Sequence, residues 1–161
     1  MLLSHNINLF GLHLPLDDHP DIRNNVELGE LLSIKNMQPV KDSLLWQGEL
    51  KSNLSDFLKL IEEKLDRAPQ IFGRQEGAIK KIAWCTGGAQ GFIDDAISLN
   101  VDLYLSGEVS EKTPAAAKEN NITFISAGHH ATERYGVQAL CKHLCAKFKL
   151  QHQYIEVENS V

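Results

Sequence analysis

No stretch of the 161-residue chain approaches the roughly 18 uninterrupted apolar residues that a membrane-crossing helix needs. The first residues also lack a basic segment leading into an apolar one, so nothing in them directs export, and the cytoplasm is the expected compartment. Basic charge is short as well: 16 Lys and Arg stand against 21 Asp and Glu, a net charge of −5. That balance disfavours direct nucleic-acid binding, because affinity for phosphate backbones rests on clustered cations. Cysteine is scarce, with three residues, an odd number. Cys141 and Cys145 lie one helical turn apart, a spacing that suits a disulfide poorly, and Cys85 is distant, so reduced thiols are expected. That pair on one helix face also admits a metal reading, but both thiols fall on an apolar stripe, where free cysteine behaves as a small hydrophobe. Low-complexity tracts and complete internal repeats are missing too.

What is present is a globular composition, 43% hydrophobic and 23% charged, enough to bury a core in one domain or one and a half. INLFGLHLPL, residues 7–16, reads as a strand entering the turn-forming LPLDDHPD. Asn24 and Asn25 begin a short helix ending near Ile34, and the pattern from Met37 to Lys51 is irregular. Asn53 caps a helix whose apolar positions Leu54, Phe57, Leu58, Ile61 and Leu65 share one face. Residues 67–77, with Pro69 and two glycines, form the linker between an expected first region, 1–66, and a second, 78–161. The second region has α/β grammar: strand IKKIAWC, loop TGGAQG, helix FIDDAISLN and strand VDLYLSG make a βαβ unit. A short helix from Pro114 to Glu119, strand NITFISAG, an amphipathic helix from Thr132 onward and a last strand QYIEV complete it.

Three clusters can carry chemistry. SAGHHATERYG puts His129 and His130 at the carboxyl end of a strand, where open α/β sheets place ligands. His129 and Glu133, four apart, can reach one point and suit zinc, manganese or iron. Equally, Thr132 or His130 caps the helix while Glu133 complements its dipole. HLPLDDHPD crowds His13, Asp17, Asp18, His19 and Asp21 into one loop, either as metal donors, with Asp17 held inward, or as an Asx-type turn. TGGAQG could hold an anion on backbone N–H groups, yet it matches neither G-x-G-x-x-G nor G-K-[ST], and glycines there also serve close strand–helix packing. Glu108 in SGEVSEKT either faces a cleft or begins a turn.

Taken in order, FGLHLPLDDHPDIRNN, IAWCTGGAQGFIDDA, VDLYLSGEVSE and SAGHHATERYGVQAL resemble the bacterial members of the NGG-interacting-factor-three-like family, often labelled GTP cyclohydrolase type 2 homologues. The resemblance spans nearly the whole chain. It implies an α/β fold of two facing lobes, with mixed sheets flanked by helices, two divalent metal ions in the cleft, and a homohexameric ring. By motif it assigns Asp17, His129 and Glu133 as metal ligands, leaving His13 and His130 near the substrate. It also implies an adjacent histidine pair followed by glycine, which this sequence does not contain. The chain therefore reads as a fragment, or one with a misassigned start, missing the family's N-terminal βαβ portion and supplying only part of the ligand set.

The function so implied is a metal-dependent hydrolase-like activity, in which metal-activated water attacks a small nucleotide or phosphoester and His130 shuttles the proton. The competing expectation is a non-catalytic metal-binding ring that acts as a scaffold or regulatory partner. A nucleotide-binding module built on TGGAQG is the third.

Overall fold

A computed structural model describes residues 1–18, 22–157 and 159, except the side chains of Leu14 and Asp18. Among them six strands form one mixed sheet: β1 (Lys35–Pro39), β2 (Trp46–Asn53), β3 (Gln70–Gly73), β4 (Ala78–Trp84), β5 (Leu103–Ser106) and β6 (Thr123–Ser126), in spatial order β1-β2-β4-β5-β6-β3. The helices are α1 (Leu14–Asp18), α2 (Asn24–Leu31), α3 (Leu54–Leu65), α4 (Ile93–Ser98), α5 (Thr113–Glu119) and α6 (His129–Phe148). β4, β5 and β6 run parallel, joined through α4 and α5, while β1 and β2 on one side and β3 on the other are antiparallel additions. The expected α/β class, a mixed sheet flanked by helices, is what the chain adopts.

Alternation along the central strands divides the core between two faces. Ile82, Trp84, Leu103, Leu105 and Ile125 pack beneath Leu28 of α2 and Leu54, Phe57, Ile61 and Leu65 of α3. Ala83, Tyr104 and Phe124 face the other way, against Ile93 and Ala96 of α4 and Ala117 of α5. Every residue of β5 and β6 is buried, as befits parallel strands covered on both sides. α3 starts where its sequence says: the Asn53 side chain accepts from Asp56 N at 2.9 Å, and its amide donates back to Asp56 Oδ2 at 2.7 Å.

Five local expectations are corrected. Residues 7–13 form no strand and are exposed, with a single turn of helix, α1, following them; QYIEV forms none either. In neither case does a described strand lie alongside to take up the backbone N–H and C=O groups, and alternation without a ladder does not hold a strand. The irregular 37–51 segment contains the β1–β2 hairpin, whose period is broken by a bulge between Lys35 and Gln38 with Asn36 at φ +51°. α6 begins at His129 rather than Thr132. The 67–77 segment carries β3, paired antiparallel with β6 from Gln70↔Ser126 to Gly73↔Thr123. Strands from both sides of that segment therefore share one sheet and one core.

Candidate functional site

Three loops leave the carboxyl ends of β4, β5 and β6 side by side: Thr86–Gly88, Gly107–Glu108 and Ala127–Gly128. They are laced by backbone bonds, Gly107 N to Gly87 O at 2.9 Å and Gly128 N to Gly107 O at 2.8 Å. Ser106 and Ser126 hydroxyls donate to Gly87 O and Gly107 O in the same layer. Thr132, fully buried in α6, accepts from Gly87 N at 3.0 Å, and its hydroxyl lies 2.9 Å from Gly128 O and His129 O. It therefore latches the first loop to the helix rather than capping the helix end, where Gly128 stands without a side-chain cap.

Gly87 shows why the loop is rich in glycine. Its φ is +67°, and a Cβ there would collide with Glu133 Oε1 and stand 3.0 Å from His129 Nε2. A Cβ at Gly88 would stand 3.4 Å from the Glu108 carboxylate, an ordinary contact. The Glu133 carboxylate thus fills the space beside Gly87, and that glycine serves close packing.

On this platform His129, the first residue of α6, is gripped from two sides. Nδ1 is 2.6 Å from Glu108 Oε1, and Nε2 is 3.1 Å from Glu133 Oε2, one turn along the helix. Glu108 accepts a further bond from Gln90 Nε2 at 3.3 Å. Burial opposes charge on the imidazole, but the bond to Glu108 and the charges of Glu133 and Glu108 outweigh it and raise its pKa. The hydrogen bond from His129 holds Glu108 below the usual carboxylate range. Burial pushes Glu133 up, and nearby Asp17 adds to the rise while His129 and His13 counter it.

Asp17, only 9% exposed, projects from α1 and accepts from Asn24 Nδ2 at 3.0 Å. Asn24 in turn accepts from Gly136 N at 2.8 Å, so one amide fixes Asp17 and pins α2 to α6. Asn25, fully buried, does the matching work on the loop by accepting from Thr86 N at 3.0 Å. Asp17 and Glu133 line a common cavity of about 680 Å³ with His13, Val137 and Leu140. The structure therefore brings Asp17, His129 and Glu133 to one region. It turns His130 outward, its Nε2 2.8 Å from Glu156 Oε1 in the C-terminal tail. His19 and Asp21 lie outside the described residues, as does the Asp18 side chain.

The donor chemistry suits two places in a divalent ion's shell: a carboxylate and an imidazole whose other nitrogen is tied to a second carboxylate, the usual support for a metal-binding histidine. It does not complete a cage, since no three His, Cys, Asp or Glu among the described residues stand close enough to hold an ion together. The sequence left Glu108 ambiguous, read Asn24 and Asn25 only as the start of a helix, and offered Thr132 only as a helix cap. Glu108 was findable, since SGE sits at the end of a strand parallel to the one feeding His129; the buried asparagines have no comparable signal.

All three cysteines are free. Cys85 is buried beside Asn25, and burial pushes its thiol up to about 12. No described helix is long and apolar enough to cross a membrane.

This arrangement accords with a match of residues 1–160 to the model of the Duf34/NIF3 (NGG1p interacting factor 3) family. The chain belongs to that family. It is 46% identical over 162 residues to the GTP cyclohydrolase 1 type 2 homolog of Allochromatium vinosum, covering 98% of this chain and 64% of that protein. It is likewise 46% identical to the GTP cyclohydrolase 1 type 2 homolog of Pseudomonas aeruginosa, over 98% of this chain and 65% of the relative. Among solved structures it resembles the protein ybgI, described as of unknown function, with a TM-score of 0.91 and 40% identity over 99% of this chain and 66% of that one. The chain thus spans slightly under two thirds of the length of these family members.

Proposed function

We propose that this chain supplies part of a divalent-metal site in a hydrolase-like protein acting on a small nucleotide or phosphoester, with His129 and Glu133 as donors and Asp17 as the carboxylate facing them. The observation that carries this reading is the clamped imidazole: Glu108 holds Nδ1, which leaves Nε2 to present toward Glu133. Two carboxylates, Glu108 and Glu133, flank that single imidazole and Asp17 lies near Glu133, an excess of negative charge that a zinc, manganese or iron cation would offset. Because His129 and Glu133 fill only two positions, the remaining donors come from residues beyond this set, in keeping with the histidine pair that the resemblance implies and with the longer relatives.

When bound, the metal would supply Lewis acidity and lower the pKa of water. The chain's own groups do the rest. Glu108 fixes the tautomer of His129, Asn24 orients Asp17, and Thr132 with Gly87 holds the helix start rigid against the loop. His130, adjacent to the pair and half exposed, is placed to carry a proton between solvent and a bound substrate.

A second reading, a metal-binding ring that acts as a scaffold, draws support from exposed apolar side chains. Leu3, Leu9 and Phe10 stand 92%, 79% and 84% exposed, with Phe148, Leu150 and Ile155 also in solvent, a surface that favours self-association. Metal content of the purified protein, with and without Glu133→Gln, tests the site; nucleotide and phosphoester hydrolysis with and without chelator separates the two readings. Metal uptake indifferent to Glu133 sinks the site, and uptake without hydrolysis of any of these substrates favours the scaffold.

A further inference from the structure

Beside His130 lies a second cavity, of about 660 Å³, whose lining includes Leu65, Asp66, Arg67, His130, Arg134 and Glu156. Its walls are the end of α3, the residue after it and the first two turns of α6. Arg67 packs its guanidinium over Gly128, the residue that precedes α6, so closely that a Cβ there would stand 2.8 Å from Arg67 Cδ and 2.9 Å from Nε. Arg134 is braced by a bond from Nη2 to Leu65 O at 2.9 Å, which leaves Nη1 directed at the cavity. Into this basic corner the tail inserts one carboxylate: Glu156 Oε1 lies 2.8 Å from His130 Nε2 and 3.5 Å from Arg134 Nη1. The tail around it has no regular structure, and its Ile155 and Val157 side chains are exposed, so apolar burial contributes little to holding it there.

We infer that the corner formed by His130 and Arg134 is an anion subsite for the phosphate of a phosphomonoester or nucleotide, and that Glu156 of the tail occupies it as an internal stand-in. A guanidinium and an imidazole at the positive end of a 20-residue helix offer forked and charge-assisted donors matched to phosphate oxygens. A carboxylate already seated on both groups shows that these donors converge on one anion-sized point. Position ties the corner to the proposed metal site: an adjoining cavity of about 680 Å³, roofed by Tyr154, Ile155 and Val157, contains His129, Glu133, His130 and Arg134 together. A substrate anchored by its phosphate at Arg134 would reach His129 and Glu133 through that cavity, once Glu156 has been displaced. Asp66 and Glu156 are acidic groups on the corner's own wall, and Glu156 is seated on His130 and Arg134.

The inference rests on the proposed function for its meaning, but not for its test. Inorganic phosphate is titrated into chelator-treated, metal-free protein and binding is followed by isothermal calorimetry and by 31P line width. Glu156→Ala is expected to tighten phosphate binding about five- to tenfold over the unaltered chain, the range set by losing one charge-assisted competitor. Adding Arg134→Gln to Glu156→Ala should reverse that gain and weaken binding at least tenfold. Should the Arg134 variant fold poorly by circular dichroism, His130→Ala, at a half-exposed position, carries the same expectation with a smaller loss. No saturable phosphate binding in Glu156→Ala, affinity equal to that of the unaltered chain, or binding insensitive to both His130 and Arg134 overturns the inference. Zinc uptake measured on the same preparations keeps the two readings apart. Phosphate binding that survives the loss of metal uptake leaves this subsite standing and sinks the metal site; metal uptake with no phosphate response sinks only the subsite.

Discussion

At the scale of single residues, the chemistry depends on groups that are held rather than merely present. In the proposed metal site His129 is held because Glu108 grips one of its nitrogens, so Glu108→Gln, which keeps the shape but loses the charge, is expected to lower metal affinity about 10- to 100-fold. Equilibrium dialysis against zinc checks this, and unchanged uptake would remove Glu108 from the support of the site. Cys85 sits at the other extreme. With its thiol pushed up to about 12 by burial, it should resist alkylation at pH 8 in the folded protein while the half-buried Cys141 and Cys145 react, and all three should react in urea. Mass spectrometry of the modified peptides distinguishes these cases. The sequence points to Asp17, His129 and Glu133 as a set only through the family resemblance, because spacing alone leaves helix capping open. The structure removes that alternative: Thr132 bonds to Gly87, and His130 to Glu156.

At the scale of elements, local signals succeeded where they carried their own partners. α3 has its cap and its apolar face within one dozen residues, and removing the cap by Asn53→Ala should cost about 1 kcal/mol, read as a lower urea midpoint with an unchanged slope. No change in midpoint would mean that Asn53 does not cap in solution. The start of β5 is tied to β4 through Asp102, whose Oδ2 accepts from Lys80 N at 2.8 Å and Lys81 N at 3.0 Å. Burial works against its charge, but these bonds and the Arg74 guanidinium prevail and hold its pKa below the ordinary value. A depressed folded pKa means that Asp102 stabilises the protein above the unfolded carboxylate pKa of about 3.9, and that this contribution fades as pH falls through the folded value. Asp102→Asn should therefore be less stable than the unaltered chain at pH 7, and the gap should close as pH falls through the folded value; a gap constant with pH contradicts it. Elements that needed a partner elsewhere were misread. β3 hid in an apparent linker because only β6 makes it a strand, and residues 7–13 alternate like a strand while no described strand accepts them.

At the scale of the whole molecule, the described residues leave an exposed apolar fringe, Leu9, Phe10, Phe148 and Leu150, none of which belongs to the two packed faces of the sheet. Replacing Phe10 and Phe148 together by Ser is expected to reduce self-association in sedimentation velocity without lowering the stability by more than about 1 kcal/mol, since neither side chain is in the core. Association unaffected by both changes would mean that this fringe is not a contact surface. The sequence by itself determined the α/β class, the central parallel unit from β4 to β6 and the amphipathic face of α3, because those depend on periodicity and on neighbours close along the chain. Only the tertiary structure decided that Glu108 grips His129, that Asn24 orients Asp17, and that Glu156 folds back onto His130 and Arg134. Those contacts join residues 7 to 26 positions apart or lie between separate elements, and nothing in local hydrophobic pattern records which polar groups a fold will bring face to face.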